Sequence, residues 1–202
     1  MVLFYIWTKP RATIRKIVDT DPNHQVILLA SLYGITNALS NITKPEVLGL
    51  MPIWGFLLLA VIVGPILGII GLYIGSALLH LTGRWIGGTA SRQHLRTAIA
   101  WAMIPNIFAI PIILLMLLIF VWFESNNVQG TMFFAVSLII IGISMIILGF
   151  WSMIILLKCV GEVQGFSAWK ALGNSILAFL IVFVPIFLVM IFVIFVFSGN
   201  LT

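Results

Sequence analysis

Charge is scarce in this sequence. Aspartate, glutamate, lysine and arginine make up 7% of the 202 residues, against about 25% in a soluble domain. Ten basic and five acidic side chains cannot supply the water-facing shell of a soluble core this large, so a soluble globular fold is excluded. Cysteine is nearly absent too. Cys159 stands alone, which rules out an intrachain disulfide and a multi-thiolate metal site; it reads as a small apolar residue. No Walker A loop, H-E-x-x-H or paired Glu-Glu motif occurs. Ser76 and His80 lie one turn apart, but no G-x-S-x-G surrounds the serine. No catalytic residue, metal or cofactor is expected, and the chain is not read as an enzyme.

What is abundant is apolar: 62% of residues are hydrophobic, in runs long enough to cross a bilayer. These predict an all-α membrane protein, a single domain over 1–202 with five transmembrane helices at about 25–42, 52–81, 98–122, 132–157 and 172–197. Residues 1–22 precede them. There Ile14, Ile17 and Val18 follow helical spacing and Arg11 and Arg15 lie one turn apart, which predicts a short interfacial helix with its cations toward anionic lipid. No Asp, Glu, Lys or Arg falls centrally within a span, which argues against a proton-coupled pump or ion pathway.

Small residues mark the expected helix contacts. Ala30, Gly34 and Ala38 recur every four residues in the first span, beside a polar stripe of Tyr33, Asn37 and Asn41. Gly64, Gly68, Gly71 and Gly75 step along one face of the second. Small residues at this spacing admit a neighbouring backbone. Pro65, Pro105, Pro111 and Pro185 are the expected kinks, the middle pair breaking the third span around Asn106.

The cations are distributed unevenly. Lys9, Arg11, Arg15, Lys16, Arg84, Arg92, Arg96, Lys158 and Lys170 fall on one side of a five-span chain, and Lys44 alone on the other, with Glu46 and Glu124. This nine-to-one bias predicts a cytoplasmic N-terminus and an extracytoplasmic C-terminus by the positive-inside rule, and it accounts for the net charge of +5 without a nucleic-acid partner. Asn41-Ile42-Thr43 and Asn200-Leu201-Thr202 match the glycosylation pattern, which a match of this length also meets by chance.

The longest polar interruption after residue 50 is 83–105. A glycine pair, Gly87-Gly88, precedes a helix start at Thr89/Ser91, and Arg84, Arg92 and Arg96 surround it. Free backbone N–H groups at a helix start, with guanidinium forks beside them, form an anion site. The expected ligand is a phosphate or the headgroup of an anionic lipid.

GGTASRQHLRTAIAWAMIP (87–105), Gly64-Pro65, Pro10 with Thr13, Trp151 and VGEVQGFSAWKALGNS (160–175) together resemble the Yip-domain family, the Ypt/Rab-interacting type of membrane protein, in its bacterial form. The resemblance covers nearly the whole chain and implies five spans with the N-terminus inside. Eukaryotic relatives bind Rab-type GTPases and carry an acidic D/E-L-x-G-P motif. Val61-Ile62-Val63-Gly64-Pro65 has no carboxylate, so GTPase binding is not carried over. The expected role is a non-enzymatic interaction or membrane-organising component of a plasma membrane, with a membrane-protein partner or a second copy of itself. The alternatives are a lipid or small apolar substrate transporter (a scramblase) and an accessory subunit of an ABC-type exporter.

Overall fold

The computed structural model describes residues 2–42, 53–125 and 132–198. Lys44, Glu46, most of the 123–130 loop and the 200–202 sequon lie outside them. The described residues are mostly helical, without strands: α1 Val2–Thr8, α2 Pro10–Thr20, α3 Val26–Ile42, α4 Ile53–Trp85, α5 Arg92–Ala102, α6 Ile104–Ile107, α7 Ile110–Ser125, α8 Met132–Gln164 and α9 Ala168–Ser198. Four stretches are long and apolar enough to cross a membrane: Trp54–Trp85, Arg92–Phe123, Met132–Gln164 and Ala168–Ile194. Val26–Asn41 is apolar but shorter.

The helices outrun the apolar segments that predict them. α4 and α8 each have 33 residues, about 50 Å at 1.5 Å per residue, against about 30 Å of hydrocarbon. Exposed tryptophans stand at both ends: Trp54 and Trp122 at one, Trp85 and Trp169 at the other. Trp54 and Trp85 are 31 positions apart on α4, about 46 Å along the axis. That matches the roughly 40–45 Å between headgroup layers, the depth that indole rings prefer.

The closest helix contact joins α3 to α4. A Cβ on Gly34 would meet the Gly64 carbonyl carbon at 2.7 Å and the Gly68 Cα at 2.9 Å, and one on Gly68 would meet the Gly34 Cα at 2.9 Å and collide with the Ala30 carbonyl oxygen. Only hydrogen at these positions lets the backbones touch. Gly71 and Gly75 depart from the expectation. A Cβ on either meets nothing within 4 Å, because they lie on α4 beyond the patch that α3 covers.

The prolines divide into two kinds. At Pro105 and Pro111 the chain breaks into α5, α6 and α7, each proline sitting in the first turn of a new helix, where its missing N–H is no loss. The break is satisfied by side chains of α8: the Ser152 hydroxyl donates to the Ala102 carbonyl at 2.6 Å and accepts from Asn106 Nδ2 at 2.9 Å. Pro65 and Pro185 instead lie inside α4 and α9, which run on past them.

Packing is concentrated at the end that carries α1 and α2. The larger apolar cluster includes Ile6, Ile14, Leu72, Leu95, Trp101 and Val160. The apolar face of α2 enters it, with Ile14 and Ile17 buried, so this face meets protein. Arg15 Nε pairs with Glu162 of α8 at 2.9 Å. A smaller cluster around Phe56, Ile113 and Leu117 lies toward the other end. Beyond Ala178, α9 is exposed through Ile194 save for half-buried Ile181, and Phe179, Phe183 and Phe187 stack in a row along it.

Candidate functional site

The expected anion cradle starts from Gly87, whose φ is +85°, a backbone that glycine adopts freely. It ends α4 in a pair of hydrogen bonds: Gly88 N–H donates to the Gly83 carbonyl at 2.7 Å and Gly87 N–H to the Arg84 carbonyl at 3.2 Å. This pattern satisfies the last carbonyls of a helix, so these N–H groups are spent on α4 and offer nothing to an anion. The Thr89 N–H is also engaged, 3.4 Å from the Gln164 carbonyl of α8. Ser91 caps α5 as its position suggests, its hydroxyl accepting from His94 N–H at 3.1 Å.

The three arginines have different surroundings. Arg84 is exposed in the last turn of α4 and Arg92 at the first residue of α5. The Arg96 guanidinium lies 4.7 Å from the ring centroid of Tyr73 on α4, a cation–π geometry. The glycine pair is thus a helix cap. His80 and Ser76 are separately occupied: His80 Nδ1 lies 3.0 Å from the Ala90 carbonyl, and the Ser76 hydroxyl donates to the Tyr73 carbonyl at 3.0 Å.

What holds this end together escaped the sequence reading. Thr82, Gln164 and Asn174 are buried polar residues that join α4, α8 and α9. The Thr82 hydroxyl donates to Asn174 Oδ1 at 2.5 Å, and Asn174 Nδ2 and Gln164 Nε2 each donate to the Leu79 carbonyl at 3.1 Å. The Gln164 amide fits over glycines, since a Cβ on Gly83 or Gly88 would come 2.8 Å from Gln164 Cδ. α8 ends as α4 does: Gly165, at φ +72°, donates to the Glu162 carbonyl at 3.3 Å and Phe166 N–H to Gly161 at 2.6 Å. The only sequence signal was two amides beside glycines near helix ends, and periodicity does not pair them.

The 21–25 turn is fixed by α5. The Thr97 hydroxyl donates to the Pro22 carbonyl, Gln93 Nε2 to Asn23 Oδ1 at 3.1 Å, and Trp101 Nε1 to the His24 carbonyl at 3.2 Å. The His24 ring stacks on buried Trp101, centroids 6.1 Å apart. Gln25 follows at φ +54°, an uncommon backbone for a residue other than glycine.

A second concavity of about 440 Å³ opens between α3 and α4. Tyr33, Asn37 and Asn41 line one wall; Phe56, Leu59, Val63 and Leu67 line the other, and Gly34, Ala38 and Gly68 take part. Asn41 Nδ2 donates to the Asn37 carbonyl at 2.8 Å and to Asn37 Oδ1 at 3.2 Å.

Among known proteins, the Yip1 domain family model matches residues 4–197. No curated protein and no solved structure matches the chain. A match over nearly the full length, on a helical chain with four membrane-length apolar stretches, gives the identification: the chain belongs to the Yip1 family of membrane proteins.

Proposed function

We propose that this chain is a non-enzymatic, five-span component of a bacterial plasma membrane that organises its surroundings by binding other molecules at its basic, cytoplasmic end. The family is not known for enzymatic activity. One observation carries the reading: the basic end is rigidly locked and still leaves its cations outside. The Thr82–Gln164–Asn174 network, the two glycine caps and the pinned 21–25 turn fix its backbone, while Arg11, Arg84, Arg92, Lys158 and Lys170 remain exposed. Preorganised charge on a fixed surface favours recognition, because little ordering is lost on binding. In this reading the N-terminus is cytoplasmic, the C-terminus outside and α3 the fifth span. Arg84, Arg92 and Arg96 meet lipid phosphate through their side chains.

A photoreactive residue in place of exposed Trp169 at the basic end, compared with one in place of exposed Trp122 at the other, tests the reading in intact membranes. The expected result is a discrete protein adduct at 169 and lipid adducts alone at 122. Lipid adducts alone at both positions refute it. Reporters after Gly88 and after Thr202 should fall on opposite sides of the membrane; finding both on one side removes the topology.

The α3–α4 groove favours a second reading, a lipid transporter, since an amide stripe facing an apolar wall suits a headgroup on one side and acyl chains on the other. A fluorescent-lipid flip assay on reconstituted vesicles separates the two. The first reading expects the rate of protein-free vesicles; acceleration that Asn37→Leu abolishes supports the second.

A further inference from the structure

A separate concavity of about 550 Å³ lies along α2, lined by Tyr5, Lys9, Thr13, Lys16, Asp21 and His24 among others. We propose that it holds the phosphodiester of a membrane lipid. Lys9 and Lys16 are both exposed, seven residues and about two turns apart on one face, so their ammonium groups flank the same groove. Asp21 is the carboxylate among the described lining residues and leaves two lysines against one aspartate. Its Oδ1 already accepts from Asn23 N–H at 3.0 Å.

The donors divide cleanly. The Thr13 and Thr20 hydroxyls donate to the carbonyls of Lys9 and Lys16, each at 2.8 Å, and are committed to the helix. The lysine ammonium groups, the Tyr5 hydroxyl and the His24 ring remain for a ligand. His24 is held for the purpose: its ring stacks on buried Trp101, its carbonyl takes the indole N–H, and three α5 side chains fix the turn around it. A positive-φ residue beside a ring fixed in this way is strain sustained by the surrounding structure, a pattern concentrated at ligand sites.

The position selects the source of the phosphate. His24 lies two residues before α3, whose first turn exposes Ile27 and Leu28, and Phe4 is exposed beside Tyr5. An apolar surface therefore adjoins the cationic groove, as acyl chains and headgroup require, whereas free phosphate needs the cations alone. The proposal depends on the membrane placement of the chain and not on the partner reading, which fails or stands separately.

The test is native mass spectrometry of the full chain extracted from phosphatidylcholine vesicles containing a minor share of phosphatidylglycerol. Lys9→Gln with Lys16→Gln should lower retained phosphatidylglycerol at least about tenfold, since each of the two charge-assisted contacts removed is worth about that much affinity. Lys158→Gln with Lys170→Gln, an equal change of charge at exposed positions outside the groove, should leave retention near the parent's. Lys9→Arg with Lys16→Arg should retain the lipid and shows that the exposed positions tolerate change. Inorganic phosphate added in excess should not displace it. Equal losses from both glutamine pairs reveal general attraction to the membrane and overturn the proposal. Displacement by inorganic phosphate also overturns it, assigning the groove to a free anion.

Discussion

Adding one methyl group at Gly34 provides a demanding test of the fold. In Gly34→Ala the new carbon lies 2.7 Å from the Gly64 carbonyl carbon and 2.9 Å from the Gly68 Cα, while carbon pairs are at ease at about 3.5–4.0 Å. Both opposing atoms are backbone, so no rotamer change relieves the contact. α3 and α4 must part by about 1 Å, and a gap of 0.5–1 Å forfeits a quarter to a half of the dispersion attraction across it. Overpacking of this kind costs about 1–3 kcal/mol. Gly71→Ala is the matched control: it makes the same chemical change on α4, with nothing within 4 Å of the new carbon, and alanine favours the helix by up to about 1 kcal/mol. Thermal unfolding in mild detergent should therefore separate the pair, Gly34→Ala melting well below the parent and Gly71→Ala at or above it. Coincident melting curves for the two variants refute the close contact.

Three further outcomes follow from the described geometry. Asn174→Leu removes two hydrogen bonds between helices, from the Thr82 hydroxyl to Asn174 Oδ1 and from Asn174 Nδ2 to the Leu79 carbonyl, while Thr82 keeps the Leu78 carbonyl; at about 0.5–1.5 kcal/mol each it should lower the melting temperature, and a parent-like melt refutes the network. Arg15→Ala should cost under about 1 kcal/mol because the arginine side chain is 69% exposed and screened, and a large drop that persists in high salt contradicts this. Cys159, fully buried in the larger apolar cluster, should resist a maleimide in the native protein and react once unfolded, and equal rates in the two states are incompatible with its burial.

The sequence reveals lipid contact more directly than helix length. Its apolar runs end at 81 and 157, whereas α4 continues to Trp85 and α8 to Gln164. A helix does not stop where the hydrocarbon stops; it stops where a glycine cap closes it. Gly87 and Gly165 are those caps, and only their backbone angles separate a cap from an anion cradle. Gly34, Gly64 and Gly68 were legible as contacts, but Gly71 and Gly75 share their spacing and miss the partner helix. Spacing fixes which face a residue is on, not how far the neighbour extends. Pro105 and Pro111 break the chain while Pro65 and Pro185 do not, because the outcome depends on which neighbours take up the freed carbonyls. Ser152 does so at Ala102 from fifty residues away, a distance no local pattern spans.

The far half of α9 has a mechanical consequence. With residues 179–194 exposed apart from Ile181, this arm has almost nothing but acyl chains to lean on, and its tilt follows the thickness of the leaflet around it. The knot of Thr82, Gln164 and Asn174 grips the same helix near its start. Thinning or thickening of the bilayer therefore swings the free arm about that clamp, and the cationic surface beyond the clamp keeps its shape across membranes of different thickness.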